Sequence, residues 1–201
     1  MVRVAARIAS DMVSIPTSDP AKVYSIGKFT VTQSVWKAVM GKDAPDQHYV
    51  GLDLPVLSVS LNDCQEFLKK LNALPDVKAS GRPYRLPTAQ EWVCACLAGA
   101  KPDGYCRLAD GTDINRKTLD RVAWLDKGGG IWHPRPVGLK EPNAFGLFDM
   151  IGNVWEWTAT AQGDRFYICG PTTGVKSFKA TRAATAAPDG KDRMLGFRLA
   201  R

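Results

Sequence analysis

Apolar residues recur every three or four positions in three stretches of this chain, at 33–39, 61–74 and 89–98. This spacing predicts three amphipathic helices. Ser60 precedes the second stretch and Thr88 precedes the third, and each is followed three residues later by an acidic residue, as in a capping box. The pattern therefore predicts two main helices after a short one, while the opening residues 2–10 form a further helix or an arm.

Shorter apolar runs predict strands at 11–15, 23–32, 55–60 and 84–86, with a further strand running through 165–169. Residues 99–140 contain many glycines and few periodic apolar runs, which is typical of irregular structure. Such a long irregular stretch usually needs other parts of the protein, ligands or ions to order it. Helices and short strands in mixed order predict the α+β class.

The stretch Gly146–Thr158 reads GLFDMIGNVWEWT and contains the strongest local pattern in the chain. Trp155 and Trp157 alternate with other residues directly after a Gly-Asn pair, which predicts a tight turn followed by a core strand. We expect both rings to be buried. Asp149 and Glu156 interrupt this apolar run, and a carboxylate beside buried rings is costly unless hydrogen bonds or a cation compensate it.

This stretch resembles the signature of formylglycine-generating-enzyme-like domains, a branch of the C-type lectin fold. Four other segments match that family in the same order: Met12–Pro16, Phe29–Thr32, Tyr84–Thr88 with Glu91 and Trp92, and Leu195–Arg198. The resemblance implies one α+β domain over 1–201, with two helices packed on short antiparallel sheets and much irregular structure. It implies less about function, because this fold carries oxidases, other metalloenzymes and pure binding proteins.

The resemblance also implies a structural calcium ion. The residues that ligate calcium in the family correspond here to Asp149, Gly152, Val154 and Glu156. Two carboxylates and two backbone carbonyls are the hard oxygen ligands that calcium takes. The alternative interpretation is that the two carboxylates accept backbone hydrogen bonds at the turn.

The resemblance does not extend to the copper site of the family's oxidases. Those enzymes hold copper with two cysteines between an Arg-Gly-Gly-Ser-aromatic motif and the final Gly-Phe-Arg, whereas 172–195 contains no cysteine here. Soft Cu(I) requires thiolates, and the only histidines are His48 and His133. We therefore expect no copper and no oxidase activity. A diverged enzyme, or an accessory factor that has lost the cysteine pair, is the alternative.

In place of that motif the chain has Cys169-Gly-Pro-Thr-Thr173, followed up to Thr185 by mostly small and polar residues. This arrangement resembles the variable proteins of diversity-generating retroelements, which display randomised residues on the same fold for ligand binding. Adenine-directed randomisation of asparagine codons can produce the residue types found at ten positions: Arg165, Tyr167, Cys169, Pro171, Thr172, Thr173, Ser177, Thr181, Arg182 and Thr185. We expect these residues to form an exposed ligand-binding surface within a variable segment at 158–201.

Composition adds limits to this interpretation. A chain of 201 residues with 45% hydrophobic content can bury a core as one domain. Residues 165–201 contain eight Lys or Arg against two Asp or Glu, and so carry six of the seven net positive charges. Few aromatic residues are interleaved with these basic residues, so we expect no nucleic-acid partner. Five cysteines without a Cys-x-x-Cys pair indicate neither a disulfide framework nor a zinc ribbon.

We expect the partner to be a protein or a surface ligand and the chain to be a monomer. No stretch approaches the roughly 18 apolar residues of a membrane span. No basic and then apolar leader precedes Met12, so the sequence predicts a soluble chain. A location at the cell surface or outside the cell follows if a leader or lipid anchor has been removed.

Overall fold

A computed structural model of the chain describes residues 2–17, 23–45, 47–101, 104–124, 133–170 and 183–201. Within these ranges the helices are α1 (Val2–Ser10), α2 (Gln33–Met40), α3 (Leu61–Asn72), α4 (Pro75–Ala79) and α5 (Ala89–Leu97). The strands are β1 (Met12–Ile15), β2 (Tyr24–Gly27), β3 (Trp155–Gln162), β4 (Arg165–Cys169), β5 (Ala183–Ala186) and β6 (Leu195–Phe197). A 3₁₀ turn lies at Leu119–Arg121. This mixture of elements confirms the α+β class.

The predicted helix starts are confirmed by their capping hydrogen bonds. The Thr32 side chain accepts a hydrogen bond from the third residue of α2, and α2 ends at Gly41 in the left-handed conformation. Complete capping boxes at Ser60 and Thr88 begin α3 and α5. The sequence pattern did not predict α4, because five residues are too few to show a helical period.

Two sheets are formed. Strands β1 and β2 make an antiparallel pair, and the four-stranded sheet has the order β5-β4-β3-β6. Its β3–β4 and β4–β5 pairs are antiparallel, but β3 and β6 are parallel, with Glu156 opposite Gly196. The sheets are therefore antiparallel, as expected, except that the last strand is parallel to its neighbour. The chain leaves β5, runs through 187–194 and enters β6 in the same direction as β3.

Buried side chains form two clusters. One contains Trp36, Phe67, Trp157 and Phe197, and the other contains Ile15, Ile26, Trp92 and Leu147. The Trp157 ring is fully buried and its Nε1 donates to the Val59 carbonyl at 2.9 Å. Trp155 is only half-buried, so the expectation that both signature tryptophans are core residues was correct for one of them.

Several predicted strands are extended segments without a ladder. Residues 55–60 are all buried but form only the isolated bridge between Thr32 and Pro55. Residues 84–86 contribute the single bridge between Arg85 and Ala200, and β2 stops at Gly27 rather than continuing to residue 32. Their apolar composition reflects burial, which a strand and an extended core segment share.

The described part of 99–140 is irregular, as predicted, apart from the 3₁₀ turn and the isolated bridges of Arg107 with Asp113 and Trp124 with Gly152. The sequence also predicts that Trp124 and Trp132 hold this region on the core; Trp124 is half-buried, and Trp132 lies outside the described residues. No helix in the described ranges is long and apolar enough to cross a membrane.

Candidate functional site

Three residues of the predicted ligand-binding surface lie together on strands β4 and β5. Tyr167 is directly opposite Thr185 in the antiparallel ladder, and Arg165 lies two residues before Tyr167 on the same face. The Arg165 guanidinium donates from Nε to Thr185 Oγ1 at 3.0 Å and from Nη2 to the Thr185 carbonyl at 2.7 Å. Arg165 is exposed, whereas Tyr167 and Thr185 are half-buried. We call Arg165, Tyr167 and Thr185 the β4–β5 patch.

Cys169 is not part of an exposed surface, which corrects the sequence-based expectation. It shares the face of Arg165 and Tyr167, but its exposed fraction is 0% and it packs in the second core cluster. Burial raises the pKa of its thiol to about 12. The physical reason is that β4 runs from solvent into the interior. The alternation of residues along a strand predicts which face a side chain lies on, but not how deeply it is buried.

The other six predicted residues lie outside the described residues: Pro171, Thr172, Thr173, Ser177, Thr181 and Arg182. They belong to the segment 171–182, which joins β4 to β5 in the chain. Cys169 and Ala183, which lie on either side of this segment in the sequence, pair in the β4–β5 ladder. The β4–β5 patch lies toward the opposite end of the same two strands.

The signature strand places Glu156 at the centre of the interior, with no solvent exposure. Its Oε1 accepts hydrogen bonds from Thr30 Oγ1 at 2.8 Å and from Arg198 Nη2 at 2.8 Å. Its Oε2 accepts hydrogen bonds from Trp92 Nε1 and Arg198 Nε, both at 2.6 Å. A carboxylate has about four acceptor positions, so this one is saturated.

Sequence analysis did not assign this role to Arg198, Trp92 or Thr30, although all three lie in the matched family segments. A usable signal was present, because a carboxylate in a buried strand requires a cation or several donors. Arg198 is the compensating cation, and it also donates to the carbonyls of Gly27 at 3.0 Å and Phe148 at 3.1 Å.

Asp149 is buried differently. Its Oδ2 accepts a hydrogen bond from the Gly138 backbone at 2.8 Å, whereas its Oδ1 is buried without a hydrogen-bond partner. Burial raises the pKa of this carboxyl to about 6, and the Gly138 hydrogen bond and the Arg198 charge oppose the rise. Its φ of 54° is in the left-handed region, which Asp and Asn tolerate better than most residues.

Gly152 and Val154 have backbone roles in the same turn. Gly152 has a φ of 81°, and a Cβ added there would lie 2.9 Å from the Trp124 carbonyl oxygen, so only glycine fits. The Gly152 carbonyl accepts a hydrogen bond from the Val154 N–H at 2.8 Å. The Val154 carbonyl lies against Gly170, where an added Cβ would come within 2.8 Å of it.

The four residues expected to ligate calcium do not fit that ion in this arrangement. Calcium takes six to eight oxygens, whereas both Glu156 oxygens are occupied by Arg198, Trp92 and Thr30. Asp149 Oδ1 is the one carboxylate oxygen of the set that lacks a donor. Asp149 accepts a backbone hydrogen bond, as the alternative interpretation expects, but the donors to Glu156 are side chains and not the backbone of the turn. The described residues also contain no group of three or more His, Cys, Asp or Glu side chains placed to hold a metal.

Comparison with known proteins identifies relatives over nearly the whole chain. The family model described as the sulfatase-modifying factor enzyme 1-like domain matches residues 16–201. The formylglycine-generating enzyme of Mycobacterium tuberculosis is 30% identical over 88% of this chain and 56% of its own length. The inactive C-alpha-formylglycine-generating enzyme 2 of Bos taurus is 32% identical over 74% of this chain and 50% of its own length. The chain thus spans about half the length of these curated relatives.

Solved structures match the fold. Treponema denticola variable protein 1 superposes with a TM-score of 0.73 at 23% identity, covering 94% of both chains. PvdO from Pseudomonas aeruginosa superposes with a TM-score of 0.69 at 22% identity, covering 94% of this chain and 90% of that one. The fold is therefore the C-type lectin fold in its formylglycine-generating-enzyme-like form, as the sequence motifs predicted.

Proposed function

We propose a binding function for this chain, which belongs to the family of sulfatase-modifying factor enzyme 1-like domains. It is a non-catalytic protein that presents a diversified C-terminal surface on a C-type lectin scaffold. Residues of the β4–β5 patch and of 171–182 contact the ligand, which is a protein or another surface molecule.

The observation that carries this proposal is a difference in the burial of polar side chains between neighbouring strands. On β3 and just after β6, the polar residues Glu156 and Arg198 are fully buried and satisfy each other. On β4 and β5, Arg165, Tyr167 and Thr185 meet solvent, and the main-chain ladder pairs the two strands that carry them. Substitution is therefore costly at Glu156 and Arg198. It is tolerated at the β4–β5 patch, as a display surface requires.

The chemistry of the β4–β5 patch suits protein recognition. Tyr and Arg are enriched among residues that dominate binding energy, because both combine apolar area with hydrogen-bond donors. Threonine hydroxyls supply adaptable hydrogen bonds, as polar residues do in antibody paratopes. The hydrogen bonds from Arg165 to Thr185 hold the guanidinium in place before a ligand arrives, which lowers the entropy cost of binding.

The second candidate function is a diverged enzyme or an accessory factor of the same family. It is supported by the match to the formylglycine-generating enzyme of M. tuberculosis. The relative from Bos taurus, in contrast, is named as an inactive enzyme. The absence of cysteine from 172–195 weighs against copper chemistry. Of the cysteines outside that interval, Cys64, Cys96, Cys106 and Cys169 are buried.

Sequencing of the gene's surroundings in several isolates tests the proposal. We expect a second, non-identical copy of the DNA that encodes 158–201, beside a reverse transcriptase gene. Differences between isolates should fall at the codons of the ten predicted positions, and the copy should carry adenines there. The Cys169 codon is informative because that residue is buried, so its variants should be restricted to small side chains.

A locus without a second copy in any isolate would contradict the display proposal. The enzyme alternative then has its own test, in which the purified chain is incubated with Cu(I), oxygen and a cysteine-containing sulfatase peptide. Mass spectrometry would detect conversion of the cysteine to formylglycine. We expect no conversion, and the M. tuberculosis relative would serve as the positive control.

A further inference from the structure

A cavity of about 310 Å³ lies away from the β4–β5 patch. Its wall is made by α1, by the β1–β2 pair and the residues that follow it, by the start of α2, by 136–139 and by Leu199. None of the lining residues belongs to β3, β4 or β5. Ligand pockets of proteins begin at about 300 Å³ and are mostly apolar with a few placed polar groups, so the size suits a small molecule.

Most of the wall is apolar. Met12, Phe29, Val31, Val35 and Val137 line the cavity, and all are at least half-buried. Leu139 lies on the wall as well and is 62% exposed, so it lies at the open side of the cavity.

Lys28 is the best-placed polar group of this cavity. Its backbone N–H donates to the Asp11 carbonyl at 2.7 Å, and its carbonyl accepts from the Phe148 N–H at 3.1 Å. Its Nζ lies 5.5 Å from the centroid of the Phe29 ring and 5.3 Å from that of the Phe148 ring. Two aromatic rings therefore hold the half-buried ammonium by cation–π attraction.

No acidic side chain forms an ion pair with Lys28 in the described parts of the chain. Besides Lys28, the wall contains Arg7, Asp11 and Asp53, so its positive and negative formal charges balance. The position of each charged group therefore decides which ligand charge the cavity favours. Arg7 and Asp53 are exposed, and water screens their charges, whereas Asp11 and Lys28 are both half-buried. Lys28 differs from Asp11 because two aromatic rings hold its ammonium, so it supplies the positioned positive charge that a ligand anion would meet beside the apolar wall.

We propose that this cavity binds a small carboxylic acid with an apolar body. The carboxylate pairs with the Lys28 ammonium, and the hydrocarbon part lies between Val35 of α2 and the 136–139 segment. Leu139 covers the ligand at the entrance. The lining shares no residue with the β4–β5 patch, so the chain carries a small-molecule site separate from the proposed display surface.

Isothermal titration calorimetry with three probes of equal chain length tests this proposal: octanoate, octylammonium and octanol. We expect octanoate to bind the unmodified chain at least tenfold more tightly than octylammonium, with octanol in between. Lys28→Met keeps the length of the side chain and removes its charge, so it should weaken octanoate at least tenfold and leave octanol unchanged. Val35→Phe should fill the cavity and weaken all three probes.

Lys140→Met is the matched control, because Lys140 also lies on an aromatic ring, with its Nζ 4.3 Å from the Trp124 centroid, but does not line the cavity. It should leave octanoate affinity unchanged. Equal affinity for octanoate and octylammonium in the unmodified chain would overturn the proposal without any variant. Absence of octanoate binding at millimolar concentration, or equal losses in Lys28→Met and Lys140→Met, would overturn it too.

Discussion

Arg198 and Glu156 form a bidentate ion pair that is fully excluded from solvent, with 2.6 Å between Nε and Oε2 and 2.8 Å between Nη2 and Oε1. Glu156 lies on β3 and Arg198 directly follows β6, its parallel neighbour. Because Arg198 also donates to the carbonyls of Gly27 and Phe148, it connects three segments that are distant in sequence: the one at Gly27, the Gly146–Thr158 stretch and its own. The closing motif Leu195–Arg198 therefore has a structural role, because its arginine holds these segments together.

Removing one partner of this pair should destabilise the protein strongly. Arg198→Met leaves an unpaired carboxylate in the interior, and breaking a buried pair in this way costs about 3–5 kcal/mol. The Glu156→Met and Arg198→Met double variant should lose less than the sum of the two single losses, since no charge remains buried. Urea denaturation measures all three free energies of unfolding. Additive losses would contradict the coupling, and Arg121→Met, at an exposed ion pair, serves as the control.

The two signature tryptophans should differ in their contribution to stability. Trp157→Ala empties a fully buried position and removes the hydrogen bond to Val59, and such substitutions cost about 3–5 kcal/mol. Trp155→Ala removes a half-buried ring and should cost clearly less. Denaturant melts of the two variants compare them directly. Equal losses would mean that the burial difference between the rings does not persist in solution.

Asp149 should make the protein less stable as the pH rises. Its folded pKa of about 6 lies above the ordinary value of 3.8, so the folded state holds more protons between these values and stability falls as the pH increases through them. Asp149→Asn keeps an acceptor for Gly138 and suits the left-handed backbone. It should stabilise the protein at pH 7 by about 1–3 kcal/mol, since one pKa unit corresponds to about 1.4 kcal/mol.

Thermal melts from pH 4 to pH 8 test this, with Glu141→Gln as a control at an exposed carboxylate. The Asp149→Asn variant should show a flatter profile than the unmodified protein between pH 4 and pH 6. A variant that is less stable than the unmodified protein at pH 7 would show that the ionised carboxylate has a stabilising partner.

Removal of calcium should leave the protein unchanged. An ion that binds only the folded state raises the melting temperature with its concentration, but the Glu156 oxygens already accept four hydrogen bonds. We therefore expect the same melting temperature in chelator and in millimolar calcium. A drop in chelator that calcium restores would instead establish the site expected at Asp149, Gly152, Val154 and Glu156.

Along β4, tolerance to substitution should fall from one end to the other. Arg165→Ala changes an exposed residue and should alter stability by no more than about 0.5 kcal/mol. Cys169→Ser places a hydroxyl in a fully buried position, at a cost of about 1–3 kcal/mol if it finds no partner. Chemical denaturation of both variants provides the comparison. A Cys169→Ser variant with unchanged stability would show that this position tolerates substitution as Arg165 does.

The sequence alone predicted the features that depend on neighbouring residues or on shared motifs. The capping boxes at Ser60 and Thr88 follow from local spacing, because hydrogen bonds between residues three apart form them. The alternation of residues likewise predicted β4, although its hydrogen bonds are made with neighbouring strands. The ordered motifs also predicted the fold. Neither source could give the parallel pairing of β6, which depends on how the intervening chain returns to the sheet.

The tertiary structure decided which polar residues are available for chemistry. Asp149 and Glu156 look alike in the sequence, but four donors from three distant segments surround one carboxylate and leave an oxygen of the other without a partner. Arg165 and Cys169 share a strand face, but only Arg165 reaches solvent. Depth and hydrogen-bond saturation depend on residues that are far apart in the chain, and periodicity along one segment contains no information about them.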